Sequence, residues 1–241
     1  MSSRPADEDG RRGAAGGHRV AGIAVSLMTV VAITGLTIAL FFTPPWVSFE
    51  QERARVPAIT GYTPEQVGMV TGAILADLFL GPPDFDVVVE GRPVLDAAER
   101  SHMMDVRALV LPFALALSLV VTALAAIVVR YRWQSWMWRA VARGSGLLAL
   151  IGVAAGVVVL LMFDTAFLVF HLLFFPQGNF AFDPRIQRLT QLFPDQFWAD
   201  TAMGIALVGL AIAVGAWLVA RWAARHADRP GPHRPIRARP S

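Results

Sequence analysis

The sequence predicts an all-α membrane protein, a four-transmembrane-helix bundle carrying a small extracytoplasmic domain of helices and one β-hairpin. Three observations carry that expectation. The 241 residues are 55% hydrophobic and only 16% charged, with a mean hydropathy of +0.53, an apolar share above that of an ordinary soluble domain. Four runs reach the length of about 20 mostly apolar residues needed to cross a hydrocarbon core roughly 30 Å thick. Basic residues are dense in some of the joining segments and sparse in the others.

The spans are expected at 20–42, 108–129, 146–170 and 201–220. The first runs into Thr43-Pro44-Pro45-Trp46 with no small-residue cleavage pattern, so it reads as a retained helix and not as a leader. Orientation follows from arginine, because cytoplasmic segments collect positive charge. Segments 1–19, 130–145 and 221–241 hold fourteen Arg against four acids, a net of +10. Segments 43–107 and 164–200 hold seven Arg against fourteen acids, a net of −7. The expected layout is therefore a disordered cytoplasmic N-terminus at 1–19, an extracytoplasmic segment at 43–107, a basic cytoplasmic loop at 130–145, an extracytoplasmic aromatic loop at 171–200 and a basic disordered cytoplasmic tail at 221–241. Trp46 and Trp198 fall at the outer boundary, and Trp133, Trp136, Trp138 and Trp222 at the inner one, where indole rings favour the interface.

Composition also excludes chemistry. With no cysteine there is no disulfide, thiolate nucleophile or c-type haem attachment. Every basic side chain besides His is Arg, which removes lysine Schiff bases and Walker-type phosphate loops. The high isoelectric point, 10.4, reflects arginines at helix ends, where anionic headgroups attract them, so no nucleic-acid partner is expected; membrane lipids are.

The segment 43–107 is too long for a bare connection and reads as a small domain on the membrane. Thr63-Pro64-Glu65-Gln66 resembles an N-cap with Pro at the first helical position, opening a helix to about Leu80 that Gly81-Pro82-Pro83-Asp84 stops. Phe85 to Leu95 has β-branched residues around Glu90-Gly91, a short hairpin. Asp96-Ala97-Ala98-Glu99 has capping-box spacing and starts a helix that runs through His102 and Asp105 into the second span. On the other side, Asp164 and His171 are seven residues apart, on one face of a helix that Pro176-Gln177-Gly178-Asn179 ends. Phe180 to Trp198 reads as a short aromatic re-entry before the fourth span.

Ionisable groups near membrane depth are costly and mark candidate sites. Of five His, three lie in the terminal segments, leaving His102 and His171. Both are expected at the outer interface, where a neutral imidazole serves as general base and an imidazolium as proton donor. Either can equally be a hydrogen-bonded structural histidine. Asp105, three residues after His102, is placed to orient its ring or to pair with Arg107. Asp164 lies within an apolar run near His171. Arg100 and Arg107 stand where they could grip an anion, or snorkel to headgroups. Phe170, Phe174 and Phe175 belong to an aromatic stretch that is either lipid-facing surface or the wall of an acyl-chain site, and Asn179, Gln187 and Gln191 are candidates for substrate hydrogen bonds or loop capping. Two rival classes stay open at this point: a scaffold without catalysis, and a bis-His haem protein.

Two blocks resemble a known family. Glu99-Arg100-Ser101-His102-Met103-Met104-Asp105-Val106-Arg107 resembles the E-x-x-H-M-x-D-V-K block of the DUF1461 integral membrane proteins, which include the lipoprotein intramolecular transacylases, with Arg107 in place of Lys. Phe170-His171-Leu172-Leu173-Phe174-Phe175, then Phe182-Asp183-Pro184 and Leu192-Phe193-Pro194-Asp195-Gln196-Phe197-Trp198, resemble its second block. The resemblance implies a protein of the bacterial cell membrane that moves an acyl chain from the glycerol sn-2 ester of a diacylglyceryl-modified lipoprotein to the α-amine of its N-terminal Cys, leaving a lyso-form. For that chemistry His102 and His171 are expected to share the base and acid roles, with Asp105, Glu99, Arg100, Arg107 and Asp164 as supports, and no metal or cofactor is needed.

Overall fold

The computed structural model describes residues 5–81 and 83–228. Its elements are α1 (Pro5–Phe41), α2 (Pro44–Arg53), α3 (Val56–Thr60), α4 (Pro64–Phe79), β1 (Val88–Val89), β2 (Arg92–Pro93), α5 (Ala97–Tyr131), α6 (Ser135–Phe174), α7 (Arg188–Leu192) and α8 (Asp195–Ala227). Four of these hold stretches apolar and long enough to cross a bilayer: Arg19–Phe41, α5, α6 and α8. The expected spans 108–129, 146–170 and 201–220 lie within them, and the span expected at 20–42 does so up to Phe41.

The long helices extend well past the spans. Segment 5–19, expected to be disordered, is helical and continuous with the first span, with Pro5 at its first position. The expected loop at 130–145 shrinks to a turn around residues 132–134, since α6 starts at Ser135. The loop expected at 171–200 is entered by α6 as far as Phe174, contains α7 and is left by α8 from Asp195. Likewise α8 continues to Ala227 into the segment expected to be a disordered tail. Apolar periodicity marks what the membrane buries, while a helix continues beyond it wherever propensity allows. Residues 1–4 and 229–241, also expected to be disordered, lie outside the described residues.

Within the bundle α6 packs along α8 and α1, while α5 leans on α1 and α4. Small residues set the close approaches, as expected where packing drives association. At Gly144 an added Cβ would stand 2.4 Å from the Ser26 carbonyl oxygen on α1, and Ser26 Oγ donates to the Ala140 carbonyl at 2.8 Å. Gly35 on α1 receives Leu117 of α5 in the same manner. Thr29 and Thr37 return their hydroxyl protons to carbonyls one turn back, at 2.8 and 2.7 Å, which hides a polar group inside an apolar helix. Pro112 lies inside α5, and α6 kinks at Met162, whose φ of −143° and ψ of 36° leave the helical region.

The chain from α2 to the first turns of α5, together with α7, forms a cap over one end of the bundle. Its core includes Val56, Val70, Ile74, Phe85, Leu95 and Leu192. Short-range chemistry sets its elements. The expected α4 cap is a full capping box, Thr63 and Gln66 exchanging side-chain and backbone bonds. The hairpin pairs Val88 with Pro93 and Val89 with Arg92, and Glu90 and Gly91 turn it with φ of 52° and 76°, the two left-handed residues of a type I′ turn. Gln51 of α2 donates to the Leu192 carbonyl at 3.0 Å, tying the cap's first helix to α7.

Candidate active site

His102 sits on the second turn of α5, and the start of that helix is fixed from both directions. Asp96 Oδ1 accepts from the Glu99 N–H at 2.8 Å, and Glu99 Oε2 accepts from the Asp96 N–H at 2.7 Å. That contact holds the Asp96 carboxyl below its ordinary pKa, against partial burial and with help from Gln187. Glu99 is 1% exposed, and its second oxygen accepts from the Leu189 N–H at 2.6 Å. One carboxylate thus binds the N-terminus of α5 to α7. Gln187 adds a bond from Nε2 to Asp96 Oδ2 at 3.1 Å and accepts from the Asp183 N–H at 2.7 Å.

His171 stands on the last turn of α6. Its Nδ1 lies 2.8 Å from the Phe167 carbonyl oxygen one turn below. A carbonyl only accepts, so Nδ1 carries the proton, and in the neutral ring Nε2 keeps its lone pair. Sequence spacing could have found this contact, since residues four apart on a helix are stacked.

The two imidazoles meet where cap and bundle join. Their ring centroids are 6.2 Å apart with planes inclined by 27°. Aromatic rings close the site. Phe175, 3% exposed, lies 4.8 Å from His102 and 5.7 Å from His171. Phe182 meets His102 edge-on at 5.5 Å, while Phe180 and Phe167 lie 5.0 and 4.2 Å from His171. Phe170 touches His171 by its edge at 5.2 Å, and Phe174 packs on Phe170, at 4.9 Å, and on no other ring among the described residues. Of the three Phe singled out from sequence, Phe175 is in the site, Phe170 at its border and Phe174 on the far side of Phe170.

The polar supports differ from expectation. Asp105 does not bond the His102 ring or Arg107. Its Oδ2 accepts from Asn179 Nδ2 at 2.6 Å and from Gln177 Nε2 at 2.8 Å, which pins the strap between α6 and α7 to α5. Asn179 and Gln187 therefore spend amide protons on the protein's own carboxylates, Asp105 and Asp96, instead of waiting for a substrate; Gln191 likewise donates to the Pro184 carbonyl at 3.0 Å. His102 is 6% exposed, and its Nδ1 and Asn179 Oδ1 are both buried without a hydrogen-bond partner. Arg100 pairs with Asp86 at 3.2 Å, and Arg107 donates to the Asp77 carbonyl at the end of α4, so neither faces the imidazoles. Asp164 is exposed, about 10 Å below His171 along α6 by helical rise, and makes no hydrogen bond or ion pair among the described residues. Gln177 is the partner that sequence reasoning passed over.

A family model described as lipoprotein intramolecular transacylase Lit matches residues 21–198. No curated protein matches the chain by sequence. Among solved structures, the membrane-integral lipoprotein intramolecular transacylase Lit from Bacillus cereus superposes with a TM-score of 0.74 at 17% identity, covering 87% of this chain and 96% of that one. Forms of the same enzyme with a single His replaced by Arg or by Ala each give a TM-score of 0.69 at 16% identity, covering 92% and 90% of this chain and 98% of theirs. With the four-span layout, the cap and a family match over most of its length, the chain belongs to the lipoprotein intramolecular transacylase family of membrane acyltransferases.

Proposed function

We propose that this chain is a multi-pass protein of the bacterial cell membrane, both termini cytoplasmic, that uses His102 and His171 to carry the sn-2 acyl chain of a diacylglyceryl lipoprotein to the α-amine of its N-terminal Cys. The arginine asymmetry supports the orientation, since the Arg-rich turn at 130–134 lies at the end of the bundle opposite the cap. The cap and the imidazole pair then face outward.

Proton counting supports two imidazoles. An α-ammonium must lose two protons to become an amide nitrogen, and the departing glycerol oxygen must gain one. In the proposed sequence the ammonium first gives a proton to His102. The neutral amine then attacks the ester carbonyl, its second proton passing to Nε2 of His171 as the N–C bond forms. His102 returns its proton to the glycerol oxygen as the C–O bond breaks, and His171 releases the other to solvent. Amine and ester are tethered in one molecule, so proximity is supplied by the substrate and the protein contributes orientation and proton transfer.

The observation that carries this reading is the pair of rings 6.2 Å apart, with the His171 Nδ1–H committed to the Phe167 carbonyl. The test is expression with a reporter lipoprotein in a host lacking this activity, followed by tandem mass spectrometry of the N-terminal lipopeptide. Substrate and product are isomers, so fragmentation must separate N-acyl from O-acyl forms. The parent yields the N-acyl lyso-form, and His102→Ala and His171→Ala each leave the O-diacyl form. Full conversion by either variant refutes the assignment.

A further inference from the structure

Two buried polar atoms lack partners beside the imidazole pair, and they are complementary. His102 Nδ1 can donate and Asn179 Oδ1 can only accept. Asn179 is close enough to His102 for its side chain to act on the ring, as are Asp105 and His171. Its orientation is not free. A side-chain amide without a fixed partner could face either way, but here Nδ2 donates to Asp105 Oδ2 at 2.6 Å, and an amide oxygen cannot take that place against a carboxylate. The oxygen is thereby turned away from Asp105. Gln177, donating 2.8 Å to the same carboxylate oxygen, adds a second tie between the strap and α5. A buried acceptor and a buried donor left unmade are both costly, so a small tightening of the strap that joins them is favourable. Hydrogen bonds in an empty site are often long and close only when substrate is seated.

We propose that Asn179 is a positioning residue: Asp105 fixes its amide so that Oδ1 takes the proton on Nδ1 of His102 and leaves Nε2 of His102 turned to the bound substrate. Asp105 then acts on His102 through Asn179, not by direct contact. Both histidines end in the same tautomer by different means, His171 through a helix carbonyl and His102 through a side-chain relay. The inference rests on the two-imidazole reading and adds a residue to it. The chemistry gains direction, because a ring with its Nδ1–H held cannot present the wrong nitrogen to the ammonium or to the glycerol oxygen.

The experiment combines a tautomer measurement with a swap. In purified protein labelled with 15N-histidine, the His102 signals, assigned by their loss in His102→Ala, report a protonated Nδ1 and an unprotonated Nε2 at neutral pH. In Asn179→Ala this preference is lost, and kcat falls by about 10²-fold, the scale of one mispositioned acid or base, while KM changes little. Asp105→Asn gives a comparable loss because the amide is no longer oriented. The double variant Asp105→Asn/Asn179→Asp keeps the amide-to-carboxylate bond with the partners exchanged and places an acceptor against Nδ1. It recovers at least 10-fold over Asn179→Ala, and the acid limb of its pH profile moves to higher pH than the parent's, because an anion next to the ring favours imidazolium. A merely structural Asn179 would move neither the tautomer nor that limb. The proposal is overturned if the parent's His102 carries its proton on Nε2, if Asn179→Ala keeps the parental rate and pH profile, or if the swap is no better than Asn179→Ala. Activity retained in His102→Ala would instead remove the two-imidazole reading itself.

Discussion

Glu99 is the residue whose loss should cost the most outside the imidazole pair. Its two carboxylate oxygens accept from the Leu189 N–H at 2.6 Å and the Asp96 N–H at 2.7 Å, in a site where the side chain is 1% exposed. Replacement by Ala leaves the Leu189 N–H buried and unmade, at about 1–3 kcal/mol, and removes the reciprocal half of the α5 capping box, worth about 1 kcal/mol. The total of about 2–4 kcal/mol corresponds, for a chain of this length, to a fall in Tm of about 5–15 °C. Glu99→Gln keeps one acceptor but turns an NH2 toward an N–H, so it should lose roughly half as much. Because Leu189 anchors the strap that brings Phe182 and Asn179 to His102, transacylation should fall at temperatures where both variants remain folded. Intrinsic Trp fluorescence during heating in detergent gives the stabilities, and lipopeptide fragmentation gives the activity. A Glu99→Ala protein melting within about 2 °C of the parent would refute the claim that this carboxylate clamps α7 to α5.

Other perturbations probe packing and charge. Gly144→Ala places a Cβ 2.4 Å from the Ser26 carbonyl and must push α1 from α6, at about 1–3 kcal/mol, whereas Gly152→Ala, with open space around it, should leave Tm unchanged or raised; equal melting of the two would contradict the close crossing. Glu50 of α2 has both oxygens buried without a hydrogen bond, with Arg53 at 3.5 Å as its counter-charge among the described residues and Asp200 nearby. Burial therefore raises its carboxyl above the ordinary range, opposed by Arg53 and assisted by Asp200. A raised acid pKa means the unfolded chain ionises first, so Glu50 costs stability as pH rises from the ordinary carboxylate value toward its folded one. Glu50→Gln should then melt higher than the parent at pH 8 by more than it does at pH 5, and a difference of opposite sign would show that the Arg53 pair dominates.

The parts of the structure legible in the sequence are those set by neighbours along the chain. Thr63 with Gln66, Asp96 with Glu99 and Glu90-Gly91 each fix a local geometry within four residues, and each appears as read. The spans are legible for the same reason, since apolar length is a local property. Helix ends were not, because the helices at 5–19, 135–145 and 221–227 continue beyond the apolar runs that mark the spans. At the site, the depth of both histidines and the helix carbonyl that holds His171 are open to an argument from spacing, but the groups around His102 are not. Asp105 meets Gln177 and Asn179 across more than seventy residues, and Glu99 meets a backbone N–H ninety residues away. A backbone donor has no signature in a sequence. Asp164 shows the converse: its position in an apolar run suggested a role beside His171, yet it lies about two turns along α6 from that histidine, exposed.

The place of the site, at the junction of cap and bundle, follows from the competition that any acyl transfer to an amine faces. Water can accept the same acyl group, so a pair of imidazoles able to activate an amine would also activate hydrolysis if left open to solvent. Tethering of amine and ester favours transfer, and exclusion of water completes the selection. Four helices alone cannot provide that exclusion at the depth of a lipid ester, because their ends stand among headgroups. The cap and its aromatic strap can. Phe175, Phe180 and Phe182 lie within 6 Å of one ring or the other, and the strap that carries them is fastened to α5 by side chains of Asp96, Glu99 and Asp105. On the proposed mechanism the same fastening serves two ends, keeping water from the reacting carbonyl and holding the proton of His102 on the nitrogen away from it. Loosening it should raise hydrolysis relative to transfer before it abolishes either.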